Sequence, residues 1–145
     1  MGDDSLFTRS ACSALVITCA DFRFKSVEQA FIESAGLVDD YDLIARPGAV
    51  RSLVSPRDEA ARASMEAEVR LLHALHRFTR VLMLNHVSCR AYDDLVAGAD
   101  ERALHVAQLA TAREAIARCC EGATAEPYLI TISGGEARVE KIAVA

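Results

Sequence analysis

Tryptophan is absent from this 145-residue chain, proline occurs three times and aromatic residues make up 6 % of it. A core built on large rings is therefore excluded, but a hydrophobic content of 52 % supplies enough aliphatic material for one compact domain spanning residues 1–145. No apolar run approaches the ~20 residues needed to cross a bilayer. The first ten residues carry Asp3 and Asp4 and lack the apolar stretch of a secretory signal, so the expectation is a cytoplasmic protein with no membrane partner. A basic surplus is lacking too. With 16 Lys and Arg against 21 Asp and Glu, the net charge of −5 disfavours a phosphate-lined partner, and no nucleic-acid interface is expected. The five cysteines are an odd number, which suits thiols or metal ligands in a reducing compartment better than a disulfide framework. There is no internal repeat, low-complexity segment or linker.

What is present is punctuated as alternating strands and helices. Ala14–Thr18 is a short β-branched apolar run of the kind that forms a buried parallel strand. Tyr41–Ala45, Val81–Leu84 and Tyr128–Ile132 read as further strands, and Gly134-Gly135 before Ala137–Ile142 reads as a hairpin that adds an antiparallel edge. Between them, Ser26 with Gln29 has the spacing of a capping box and Gly36 that of a helix terminator. Ser55, Pro56 and Asp58 have the pattern of a helix start, with Met65, Val69, Leu72, Leu75 and Phe78 as the apolar stripe. A last helix runs from about Asp100 to Cys120 and closes at Gly122. The expected fold is α/β in three layers, a mostly parallel β-sheet of order 2-1-3-4 with an antiparallel C-terminal edge strand.

Two motifs follow strands directly. Cys19-Ala20-Asp21-Phe22-Arg23 ends the first strand and His86-Val87-Ser88-Cys89 ends the third. In a doubly wound sheet the carboxyl ends of neighbouring strands meet at the ligand site, which would bring Cys19, His86 and Cys89 together. Two thiolates and one imidazole are a zinc set that leaves a tetrahedral position open. Asp21 could accept a hydrogen bond from a zinc-held water or cap the metal itself, and the planar fork of Arg23 could hold the carboxylate away. A plain structural ion pair is the alternative for these two. Cys12, Cys119 and Cys120 have no His or carboxylate at ligand spacing and read as packing thiols, and His73, His76 and His105 read as residues of solvated helix faces.

Cys-x-Asp-x-Arg after the first strand and His-x-x-Cys after the third resemble the marks of the β-class carbonic anhydrases, and the likeness runs through most of the chain. The resemblance implies a Zn²⁺ held by Cys19, His86 and Cys89, a catalytic dyad of Asp21 and Arg23, a homodimer, and a lyase interconverting carbon dioxide and bicarbonate by zinc-bound hydroxide. A related small heterocumulene such as carbonyl sulfide is a second substrate of the same chemistry.

Several positions depart from the family pattern. Asn85 and Arg90 stand where glycines are usual, Phe22 replaces a serine, and Arg46-Pro47-Gly48-Ala49-Val50 replaces a loop that carries amide side chains. The amino-terminal helical arm usual in the family is not seen before the first strand. An altered pocket wall is expected, and a non-catalytic zinc or small-anion binding protein using Arg23, Arg46 and Arg90 is the competing reading.

Overall fold

In the computed structural model, residues 4–98 and 100–144 are described, so Asp3 lies outside them. Strands β1 (Ala14–Thr18), β2 (Tyr41–Ala45), β3 (Arg80–His86), β4 (Thr124–Ser133) and β5 (Glu136–Lys141) form a sheet in the order β2-β1-β3-β4-β5. The first four are mutually parallel and β5 returns antiparallel to β4, as the sequence pattern requires. Gly134 and Gly135 both have positive φ, +59° and +79°, the conformation of a two-residue turn whose twist matches the strands it joins.

Residue alternation along the strands feeds two separate cores. Leu15, Ile17, Val81, Met83 and Leu129 face one side with Met65, Val69, Leu109 and Ile116. Those partners come from α4 (Glu59–His76) and α6 (Glu101–Cys119). Ala14, Val16, Leu82, Leu84 and Ile130 face the other side and pack on Phe24, Ile32 and Leu37, in and beside α2 (Lys25–Ser34). The near-continuous apolar runs of β1 and β3 reflect burial on both faces. Short helices α1 (Asp4–Phe7), α3 (Arg51–Val54) and α5 (Asp93–Val96) complete the chain.

The helix starts differ from their sequence patterns. A 3₁₀ turn over Phe22–Phe24, capped by the Asp21 side chain, runs straight into α2, so Ser26 lies inside the first turn instead of capping it. For α4 the cap is Asp58, whose carboxylate accepts from Ala61 N at 2.8 Å, because Ser55 is already engaged as the end of α3. Gly36 does end α2: it has φ +71°, and Leu37 N donates to Ile32 O at 3.1 Å. Leu75 is 51 % exposed, since six residues past Val69 it has rotated about 120° off the buried stripe. Phe78 is buried, but past the end of the helix.

One ion pair joins α3 to α5. Arg51, itself buried, donates to both carboxylate oxygens of Asp94 at 2.5 and 2.8 Å and to Ala91 O at 2.5 Å. The guanidinium holds the Asp94 carboxyl down at about 2 from the ordinary 3.8. A depressed acid stabilises the fold fully above its unfolded pKa and loses that contribution as pH falls through the folded one. Urea midpoints should therefore drop between pH 4 and pH 2, and Asp94→Asn should flatten that acid limb. Leu129→Ala, which opens a hole between sheet and α6, should cost about 2–5 kcal/mol, whereas Leu75→Ser on the exposed face should change stability by less than about 0.5 kcal/mol in the same urea titrations.

Candidate metal centre

Strands β1 and β3 lie side by side with Thr18 opposite Leu84, so the residues that follow emerge together. Cys19, His86 and Cys89 are all buried, and their ligand atoms lie within 4.8 Å of one another. The two sulfurs are 3.8 Å apart. Two sulfurs bound tetrahedrally to one zinc at ~2.3 Å would stand roughly 3.8 Å apart. The His86 ring stacks on Phe24 with centroids 4.0 Å apart, and its Nδ1 donates to Val87 O at 2.8 Å. That bond leaves Nε2 as the lone-pair nitrogen, and Nε2 is buried without a hydrogen-bond partner. An orphaned imidazole nitrogen beside two thiols is a donor set that fits a zinc ion.

The backbone is bent to make this possible. Ser88 takes φ +57°, which folds the chain back so that Cys89 reaches His86. That conformation is pinned from both sides: Ser88 N donates to Glu101 Oε1, and Ser88 O accepts from Arg23 Nη2 at 2.9 Å. Gly48 N donates to the Cys19 sulfur at 3.3 Å. A side chain at Gly48 is excluded twice, by φ +83° and because a Cβ would stand 2.9 Å from Arg51 Cβ. On its other side Cys19 is fixed through its carbonyl, which accepts from Lys25 Nζ at 2.6 Å. The two thiols share a hydrogen bond, and with help from His86 and the Gly48 amide their coupling draws the Cys19 thiol well below its ordinary range while pushing Cys89 up.

Asp21 and Arg23 flank the open side. Arg23 Nε lies 3.0 and 3.1 Å from the two Asp21 carboxylate oxygens, and Nη2 reaches Oδ2 at 2.6 Å. The pairing lowers the Asp21 carboxyl to about 2. Oδ2 is also 3.7 Å from His86 Nε2, so the carboxylate edges the metal position while the fork restrains it. In front lies an open cleft of about 540 Å³ lined by Asp21, Phe22, Arg23, Pro47, Arg90 and Ala91.

Other sequence expectations change here. Asn85 does not line the cleft: β-strand alternation turns it to the face opposite His86, where Nδ2 donates to Tyr92 Oη at 3.1 Å and to His105 Nδ1 at 3.1 Å. His105 is therefore fully buried, not solvated. Tyr92 completes the network by donating to Gly48 O at 2.8 Å. Arg46 turns away to Ser64 Oγ at 3.2 Å and Glu68 at 3.4 Å, so the three arginines of the anion-site reading do not converge. Cys119 and Cys120 are buried packing thiols as expected, with Cys120 pushed up to about 11 by burial. Cys12 and His76, by contrast, stand beside Asp42. Glu101, Tyr92 and Gly48 support the site through contacts distant in sequence, which no local pattern announces.

A family model described as "Putative carbonic anhydrase" matches residues 9–139. An uncharacterized protein of Rickettsia bellii is 32 % identical over 94 residues, 65 % of this chain, and the chain spans only 57 % of that relative's length. Among solved structures, a carbonic anhydrase from Glaciozyma antarctica superposes with TM-score 0.56 at 12 % identity, covering 96 % of this chain and 88 % of its own. A tetrameric β-carbonic anhydrase from Sordaria macrospora gives 0.53 at 17 %, covering 97 % and 85 %. These likenesses show the shared fold. With the family model spanning most of its length, the chain belongs to that carbonic anhydrase family and is a divergent member of it.

Proposed function

We propose that this chain, acting as a single domain, is a zinc-dependent lyase that hydrates carbon dioxide or a related small heterocumulene. The reading rests on one observation: three buried ligand atoms converge beneath an open cleft beside a carboxylate held by an arginine fork. Cys19, His86 and Cys89 are the metal ligands in this reading. Zinc held there would supply an activated water as nucleophile at neutral pH. Asp21, ionised over the whole working range, is placed to accept a proton-bearing hydrogen bond and orient that nucleophile. Arg23, which binds Asp21 and Ser88 O, would keep the carboxylate off a metal held there and ties it to the same turn that carries Cys89. Phe22 and Arg90, at 84 % exposure and on the cleft rim respectively, border the substrate's path.

The wider setting follows from the same features. No helix is long and apolar enough to cross a membrane among the described residues, and five unpaired thiols suit a reducing compartment such as the cytoplasm. On strand β2, the unpaired sheet edge beyond β1, Leu43 is 53 % exposed, and a second copy of the chain in a homodimer would cover it.

Three outcomes are expected. Cys89→Ser should lower bound zinc by about one ion per chain, by elemental analysis, and abolish carbon dioxide hydration measured by stopped flow. Arg23→Ala should retain the metal but lose about 10²-fold or more in turnover as Asp21 is freed to cap it, with Arg23→Lys recovering little because an ammonium cannot replace the fork. Zinc-loaded wild type at the uncatalysed rate would sink the enzyme and leave a non-catalytic zinc protein. Light scattering should give twice the chain mass, and a monomer would remove the dimer alone.

A further inference from the structure

A second group of ligand-type side chains sits at the other end of the sheet. Cys12 lies two residues before β1, Asp42 is the second residue of β2 and His76 is the last residue of α4. The fold brings one atom from each within 4.8 Å of the others. His76 Nδ1 stands 2.7 and 3.0 Å from the two Asp42 oxygens. Cys12 is tied to the helix end by its own backbone, whose N donates to His76 O at 3.1 Å, so main chain holds the two residues side by side, while the thiol donates to Ala14 O at 3.4 Å. The group lines a cleft of about 160 Å³, with Arg9 and Asp39 also on its wall. All three residues are half-buried, shielded enough to be ordered yet open to an entering ion.

We propose that Cys12, Asp42 and His76 form a second zinc site, separate from the Cys19, His86 and Cys89 centre. A thiolate and an imidazole select a borderline-soft cation over calcium or magnesium, and thiolate with carboxylate neutralises a divalent charge. Three protein ligands leave the fourth position to the cleft. Ligand atoms around a tetrahedral zinc stand roughly 3.3–3.8 Å apart, so the His76 and Asp42 atoms need only part slightly and the group contract from its outer limit. Binding expels the Cys12 thiol proton to solvent. The ion would cross-link the lead-in to β1, the start of β2 and the end of α4 at the edge of the core they share. Its role is structural or regulatory, since it stands at the strand ends opposite the cleft of the proposed enzyme.

The test is metal stoichiometry on protein stripped with chelator and reloaded with Zn²⁺, then with Co²⁺ as a spectroscopic probe. Wild type should take up about two zinc ions per chain, and Cys12→Ser and His76→Ala should each lose about one while keeping carbon dioxide hydration unchanged. In the Cys89→Ser background, Co²⁺ should still give a thiolate-to-cobalt charge-transfer band that disappears when Cys12→Ser is added. If the wild type binds only one ion from which Cys12→Ser removes nothing, the second site does not exist. If it binds one ion that Cys12→Ser removes, this site stands and the assignment at Cys19, His86 and Cys89 falls.

Discussion

The pairing of β1 with β3 is the constraint on which the rest depends. Val16 opposite Leu82 and Ile17 opposite Met83 fix a register in which the two strands end side by side. Because side chains alternate with period two, a slip of one residue would turn each strand's apolar set to the wrong layer and carry Cys19 away from His86. The cores on both faces oppose that slip together, since every residue of β1 is buried. The meeting of Cys19 and His86 is thus set by aliphatic packing of the strands that carry them.

Packing delivers the ligands to the same place, but loop strain aims them. Ser88 with φ +57° and Ala49 with φ +52° hold a left-handed conformation without being glycine, each at a cost on the order of 1–3 kcal/mol. The structure offsets this strain by making the strained segments into hydrogen-bond hubs. Glu101 accepts the Ser88 amide, Arg23 binds the Ser88 carbonyl and Tyr92 binds the Gly48 carbonyl. Lys25 extends the same logic to the first motif, since its ammonium reaches both the Cys19 carbonyl and Glu28, at 2.6 and 2.5 Å. Bent turns held this firmly keep the sulfurs close without leaving their placement to flexible side chains.

The sheet order, the antiparallel edge and the convergence of Cys19, His86 and Cys89 were legible because each rests on a local signal: an apolar run, a Gly-Gly turn, a ligand placed just past a strand end. Helix starts were less so. Asp21 caps a 3₁₀ turn that absorbs the start of α2, and Asp58 displaces Ser55, because competing short helices use residues whose propensities also fit a cap. His105 and His76 depart from the solvated-face pattern for a different reason. On its own helix each looks polar and solvated, and only a partner far away in sequence, Asn85 or Asp42, shows otherwise. Tertiary partners of polar residues are the part of a fold that one-dimensional patterns do not carry.

The departures from the family pattern divide by face. Asn85, on the side of β3 away from His86, carries an amide that links the strand to Tyr92 and α6. Its effect on the metal position runs through Tyr92 to the Gly48 carbonyl, whose residue gives its amide to the Cys19 sulfur. Arg90, with a side chain 92 % exposed, instead stands on the rim of the cleft. Thus the floor of the site is a buried Cys/His cluster braced by a polar network through Asn85 and Tyr92. The mouth, by contrast, presents an exposed phenylalanine, Phe22, and the unburied Arg90.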